Sequence, residues 1–303
     1  MDIIGFSIKN NLWNRQETYL AIFTLVSVGL VGAVDDYLNV RGIGRTKGLS
    51  ARVKMVLLVI LASLGAYWFF VKLGYDHIHF PFLGDVTFGY LYIPIFIFVF
   101  ISAANSVNIT DGLDGLAGGL LLFQFIAYGA ITYIRGLYIL SAFCFIISGI
   151  LLAFLWFNVH PAKIFMGDTG SMLLGYTMAV VAVLGLVKTA ATVALIVPII
   201  ALGVPIMDTL FAIIRRKMSG VPVFQPDKGH LHHRLLALGM TQKQAVLSMY
   251  MVSVLLGFVA VFVANVGYKT GIVTIAAVLA VCIYSARRIG VLRRSDNCNT
   301  TKK

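Results

Sequence analysis

Residues 90–133 read YLYIPIFIFVFISAANSVNITDGLDGLAGGLLLFQFIAYGAITY. Two apolar runs, 90–106 and 116–133, flank a short polar segment that carries Asn108, Asp111 and Asp114. Each run approaches the roughly 20 residues that cross a hydrocarbon core, so the stretch reads as two membrane spans that meet at one polar rim. Runs of the same kind recur at 19–34, 55–70, 138–157, 172–187, 191–214, 245–266 and 272–285, which makes nine. The expected fold class is all-α: a polytopic membrane helix bundle of about nine transmembrane helices, forming one integral membrane domain over 1–303. No Pro/Ser-rich linker, internal repeat or low-complexity tract divides the sequence. Residues 1–17 are polar and lack the apolar segment and small-residue cleavage site of a secretory leader.

Composition agrees with this reading. Hydrophobic residues make up 59% of the 303 and charged residues 12%, against about 45–50% and 25% in soluble domains; mean hydropathy is +0.92. A soluble fold, disorder, a coiled coil and a secreted disulfide scaffold are excluded together. Cys144, Cys282 and Cys298 form no CxxC or Cys/His ligand spacing. The net charge of +12 could point to nucleic acid, but in a membrane protein it reports orientation. Alternating the nine spans across a bilayer puts loops 38–54, 107–115, 158–171, 215–244 and 286–303 on one face. Of the 24 Lys and Arg, Lys9, Arg15, Lys72, Arg135, Lys188 and Lys269 then fall elsewhere, so the cation-rich face is cytoplasmic. The C-terminus is expected in the cytoplasm and residue 1 outside, and nucleic acid is not expected as a partner.

The carboxylates sharpen the reading. Asp35, Asp36, Asp111, Asp114, Asp168 and Asp208, from 12 acidic residues in all, lie at the cytoplasmic ends of spans, where a charge is costly without a partner or a task. One such Asp would be read as a helix-end charge paired with Lys or Arg. Six on one rim favour a cluster of hard oxygen ligands, which suits Mg²⁺, and Mg²⁺ takes one or two carboxylates plus substrate phosphates. A phosphate ester or diphosphate is the substrate class this implies.

Three local patterns agree. Asp111 and Asp114 are three residues apart, on one face if helical, and the glycines around them allow close approach of backbone or ligand; a helix N-terminus with favourable acidic charge is the plainer alternative. Gly167-Asp168-Thr-Gly170-Ser171 precedes a span, where backbone N–H groups can face phosphate or simply cap the helix. In the longest cytoplasmic loop, His230-Leu-His232-His233-Arg234 offers donors to a diphosphate. Zinc is the weaker alternative there, because no Cys and no evident fourth ligand accompany the histidines.

These pieces together resemble the polyprenyl-phosphate N-acetylhexosamine-1-phosphate transferases. The matching blocks are Gly32-Ala-Val-Asp35-Asp36, Gly48-Leu-Ser-Ala-Arg-Val-Lys54, residues 105–119, Asn158-Val-His-Pro161-Ala-Lys-Ile-Phe165-Met-Gly-Asp168-Thr-Gly-Ser171, and His230-Leu-His232-His233-Arg234. They follow family order over roughly 28–240, while the last two spans match only as apolar helices. The resemblance implies transfer of a sugar 1-phosphate from a UDP-sugar to a membrane polyprenyl phosphate, with release of UMP, as the first membrane step of cell-envelope polysaccharide synthesis. The Pro-Ala-Lys-Ile-Phe-Met-Gly-Asp and His-Leu-His-His-Arg blocks look like the branch that uses UDP-N-acetylglucosamine and undecaprenyl phosphate. Thr46-Lys-Gly-Leu-Ser-Ala-Arg leans instead towards the phospho-N-acetylmuramoyl-pentapeptide branch, which tends to have three consecutive His. The family pattern also carries two further N-terminal spans, joined by a basic Gly/Pro loop, ahead of the one that ends in Asp35-Asp36.

The resemblance implies roles as well. Asp168, with Asp111 or Asp114, would hold Mg²⁺, for which Mn²⁺ could substitute. Lys54, His230, His232, His233 and Arg234 would hold phosphate oxygens, and Asn108 would orient sugar or diphosphate. Asp35 and Asp36 would face the lipid acceptor, either keeping its phosphate deprotonated or attacking phosphorus. Phe165 would stack on uracil, or anchor the chain at the interface as aromatic residues commonly do. Asp208 would support the site from behind or serve as a helix-end charge. All these groups are expected around one cytoplasmic cleft open sideways to lipid, in a chain that could form a homodimer. The competing classes are a cation-coupled transporter, for which midplane acids and repeated halves would be needed, and a membrane scaffold without activity.

Overall fold

Segments hydrophobic enough to leave water must each pair their own backbone groups, and helices do that within the segment. The computed structural model describes residues 16–42, 48–74, 76–80, 84–188, 203–218 and 230–290. Among them α1 covers Gln16–Val40, α2 Ala51–Tyr67, α3 Tyr92–Thr110, α4 Leu116–Ile134, α5 Tyr138–Asn158, α6 Gly167–Lys188, α7 Gly203–Met218, α8 Leu231–Ala237, α9 Gln242–Asn265 and α10 Tyr268–Ile289. Seven helical stretches of the described residues are long and apolar enough to cross a membrane. The first expected span is α1. Of the span expected at 191–214 only the part within α7 is described, the rest lying outside the described residues.

One feature departs from an all-helical reading. Between a π-helical turn at Trp68–Lys72 and a 3₁₀ turn at Gly89–Leu91, the chain forms a short antiparallel hairpin, β1 His77–Phe80 with β2 Gly84–Thr87. Its register pairs His77 with Thr87 and Phe80 with Gly84. Four-residue strands fall below the length at which alternation stands out against an apolar background, so the sequence gives them no distinct signal.

Ends follow local chemistry. The Ser50 side chain accepts the Val53 N–H at the start of α2. Thr241 and Gln244 form a reciprocal capping box at the start of α9.

The described residues fall into two compact units. The first holds 16–108 and 166–188, the second 109–165 and 203–290. In the first, α1 packs along α6, and the backbones come very close: a Cβ on Gly32 would lie 2.3 Å from Thr169 Cα. A Cβ on Gly175 would likewise lie 2.7 Å from the Ala103 carbonyl oxygen, so α3 meets α6 through small residues. A ladder of rings fills the space beside this contact. Phe69 meets Phe96 at 5.3 Å, Phe96 stacks on Phe100 at 4.0 Å, and Phe100 meets the edge of Tyr176 at 4.7 Å. In the second unit α4 and α5 form a helical hairpin with α9 against α4. Phe123 packs edge-on to Tyr250 at 5.5 Å, and Arg135 donates to the Ala264 carbonyl at the end of α9.

The close approach of α1 and α6 gives a direct test. Gly32→Ala should lower the thermal midpoint in detergent by the equivalent of about 1–3 kcal/mol, because a backbone must move to admit the methyl. Gly29→Ala, where the added Cβ meets only Leu173 Cδ2 at 3.9 Å, should leave it unchanged or slightly raised. Equal midpoints for the two variants would refute the tight contact.

Candidate active site

The first unit gathers carboxylates around one lysine. Asp35, near the end of α1, accepts the Leu49 N–H at 2.6 Å and lies 2.6 Å from the Lys54 ammonium. Lys54, in the first turn of α2, also pairs with Asp168 in the first turn of α6. Asp168 accepts from Asn108 Nδ2 at 3.0 Å, and the same amide nitrogen reaches Ser171 Oγ at 3.1 Å. Asp36 takes the Thr169 N–H at 3.2 Å and its hydroxyl.

Two glycines make room for these contacts. Gly48 holds φ +128, with Asp35 Oδ1 3.1 Å from where its Cβ would be; Gly167 holds φ +66, with Asp36 Oδ2 at 2.8 Å. A side chain at either place would be strained and would crowd the carboxylate. Sequence reading found Asp35, Asp36, Lys54, Asn108 and Asp168, and the structure brings all five into one polar group. Thr169 and Ser171 lie in the Gly-Asp-Thr-Gly-Ser stretch quoted above, but the partners of their hydroxyls carry no signal until α6 is placed against α1 and α3.

This group holds three carboxylates and one ammonium, which pairs with two of them, Asp35 and Asp168. The Asp35 side chain is 4% exposed and its oxygens are committed, whereas that of Asp168 is 35% exposed. Asp168 thus has surface to offer a cation. Among the described residues no three His, Cys, Asp or Glu side chains come together as a preformed cage. One or two carboxylates is the number Mg²⁺ takes when phosphate oxygens supply the rest, so the donor chemistry fits that ion.

The second unit holds Asp111, Asp114, Phe165 and the histidine segment. Asp114 lies 2.7 Å from His160 Nδ1 and accepts the Ala162 N–H at 3.3 Å. The hydrogen bond from His160 holds its carboxyl below the usual carboxylate range. Asn158 fixes this loop from both ends, accepting the Gly115 N–H at 3.0 Å and donating to the Ile164 carbonyl at 2.8 Å. The Tyr250 hydroxyl donates to the Gly115 carbonyl. His160, Asn158 and Tyr250 were not singled out from sequence. Phe165 stands 75% exposed at the end of the same loop.

At the start of α8, His230 Nδ1 lies 3.1 Å from Asp208 Oδ2. His232 is 2% exposed and sits where a Cβ on Gly112 would be 2.6 Å from its Nε2. Its ring lies 4.2 Å from that of His233. Burial first, and the His233 charge second, push the His232 imidazole down to about 4, so at neutral pH it is an uncharged group. A neutral imidazole still carries one N–H, so the donor role expected of His232 would rest on a single hydrogen. Its Nδ1 and Arg234 Nε have no hydrogen-bond partner among the described residues.

A family model described as glycosyl transferase family 4 matches residues 18–186, more than half of the chain. The chain belongs to glycosyl transferase family 4. The match includes Asp35, Asp36, Lys54, Asn108, Asp111, Asp114, Phe165 and Asp168, while Asp208 and the 230–234 segment lie beyond it. Over 216 residues the chain is 38% identical to the Bacillus subtilis protein named probable undecaprenyl-phosphate N-acetylglucosaminyl 1-phosphate transferase, an alignment covering 70% of this chain and 59% of the relative. The chain therefore spans less than two thirds of that relative's length. It is 34% identical over 252 residues to a phospho-N-acetylmuramoyl-pentapeptide-transferase of Geobacillus, covering 82% and 74% of the two chains. With the protein of the same name from Clostridium novyi the figures are 36% over 256 residues, 82% and 76%. This glycosyl transferase family 4 chain, with its apolar helices, is a multi-pass membrane protein.

The state of His232 has a measurable consequence. An unfolded histidine takes its proton near pH 6.5 and the folded ring only near pH 4, so stability is complete above about pH 6.5 and falls as pH drops towards 4. Between pH 7 and pH 5 the loss should be on the order of 1–2 kcal/mol, read as a lower thermal midpoint. His232→Gln should flatten that slope. An unchanged slope in the variant would show that the buried ring is not its source.

Proposed function

We propose that this chain transfers N-acetylglucosamine 1-phosphate from UDP-N-acetylglucosamine to undecaprenyl phosphate, giving the diphosphate-linked lipid and UMP on the cytoplasmic side of the cell membrane. The observation that carries the reading is the single Lys54 ammonium held between Asp35 and Asp168. Such a group, set at helix ends in a membrane protein, is suited to chemistry in which one anion must be brought to another. The 38% identity to the Bacillus protein directs the choice of sugar and lipid.

In this reading the residues divide the work as follows. Asp168, the more open of the two lysine-paired carboxylates, would hold Mg²⁺, and Asn108 fixes its orientation. When bound, the ion supplies charge neutralisation at the diphosphate and the departing UMP. Lys54 bridges Asp35 and Asp168 and offers its remaining donor capacity to a phosphate oxygen. Asp35 is too enclosed to reach a substrate, so of the neighbouring pair Asp36 is assigned to the acceptor phosphate, with Thr169 aiming it. Asp111, Asp114, Phe165, His230, His233 and Arg234 are assigned to the sugar nucleotide. His232, enclosed against Gly112 with its Nδ1 unpartnered, is assigned to the same substrate as a neutral donor.

Purified protein in detergent, supplied with Mg²⁺ and undecaprenyl phosphate, should label the lipid from radioactive UDP-N-acetylglucosamine. Labelling from UDP-N-acetylmuramoyl-pentapeptide instead would move the chain to the branch of its Geobacillus and Clostridium relatives, and no labelling from either would refute the transferase reading. Asp168→Asn should reduce transfer by about 100-fold or more, the scale of losing one well-placed electrostatic group, with the protein still folded. Normal turnover with normal Mg²⁺ dependence in that variant would remove Asp168 from the metal.

A further inference from the structure

The short helix α8 opens without a cap of its own. His230 occupies the N-cap position and makes no side-chain bond to the helix. The acceptor comes from α7: Asp208 Oδ1 takes the Leu231 N–H at 2.7 Å, and Asp208 Oδ2 lies 3.1 Å from His230 Nδ1. Asp208 itself is 3% exposed. A carboxylate only accepts, so the Nδ1 that faces it carries a hydrogen. The ring of His230 is thereby fixed in one tautomer, with Nε2 as its working nitrogen. That ring is parallel to His232, centroid to centroid 5.9 Å, and His232 abuts Gly112 in the loop that carries Asp111 and Asp114.

We propose that Asp208 is a positioning residue for the sugar-nucleotide half of the reaction. It sets the His230 tautomer and seats the first turn of α8, so that the 230–234 segment keeps its place against the Asp111–Asp114 loop. This role rests on the assignment of His230 to the donor substrate made above.

The backbone N–H of Leu231 cannot change its role, and this makes Asp208→Asn a specific probe. The amide oxygen of Asn must stay on Leu231, which turns the NH₂ towards His230 Nδ1 and drives the ring proton to Nε2. A merely structural cap would be kept by this change; a tautomer would not.

The experiment is solid-state NMR of ¹⁵N-histidine-labelled protein in liposomes, run beside transferase kinetics. The His230 signal, identified by its loss in His230→Gln, should show a protonated Nδ1 in the wild type and a shift of the proton to Nε2 in Asp208→Asn. The KM for the UDP-sugar should rise about 10-fold or more in Asp208→Asn, with a smaller change in kcat. In a His230→Gln background the same substitution should add nothing. If Asp208→Asn is too unstable to assay, His230→Gln alone should reproduce the KM change. A wild-type His230 protonated at Nε2 alone, an unmoved tautomer, or a full additional loss in the His230→Gln background would overturn the role. A wild type that turns over no UDP-sugar overturns the function as well; it is told apart from failure of Asp208 alone, in which the wild type is active and Asp208→Asn matches it.

Discussion

The polar group of the first unit turns on the Lys54 ammonium held between Asp35 and Asp168 at the end of apolar helices. Two carboxylates brought together there would repel one another and move apart. One ammonium shared by both removes that outcome. The arrangement also explains why the group can remain open on one side: with Asp35 closed off and Asp168 partly exposed, the lysine balances the inner charge while the outer one stays available. Asn108 and the Leu49 N–H then satisfy lone pairs that the lysine does not reach, and Ser171 in turn accepts from the Asn108 amide.

Contacts of this kind need backbones closer than side chains normally permit. Gly32 against Thr169 and Gly175 against Ala103 provide that in the first unit. In the second, Gly112 leaves room for the His232 ring against the backbone. In lipid, where apolar helices gain little by meeting one another, such small-residue seams and the polar groups beside them are what select one packing over another.

The helices were legible because hydropathy over about 20 residues has one physical cause. Their ends were less so, since the polar residues that extend α1 to Val40 and α3 to Thr110 are the same ones that mark the site. Asp35, Asp36, Asp111, Asp114 and Asp168 stood out because a charge at a membrane helix end is rare and costly. What escaped notice was partnership. Lys54 pairs with a residue 114 positions away and Asp36 with one 133 away, and no pattern in the linear sequence says which cation a carboxylate will find. Thr169, Ser171 and Asn158 look like ordinary small polar residues until the helices are placed. His232 reads as a donor in a basic motif, and only its burial against Gly112 makes it neutral. The hairpin at His77–Thr87 was missed for a different reason: its strands are too short for periodicity to register.

Asp36 and Asp168 are held to one another less by their own rotamers than by the separation of the helices that bear them, because Gly32 brings α1 onto the backbone of Thr169 itself. The polar group therefore behaves as a gauge of helix tilt. A bilayer that is thicker or thinner than the spans prefer is met by tilting them, and rotating α1 about the Gly32 contact displaces Asp36 along α6 with no change in any side chain. Membranes of different thickness would then set different separations between the Asp36 and Asp168 carboxylates through geometry alone.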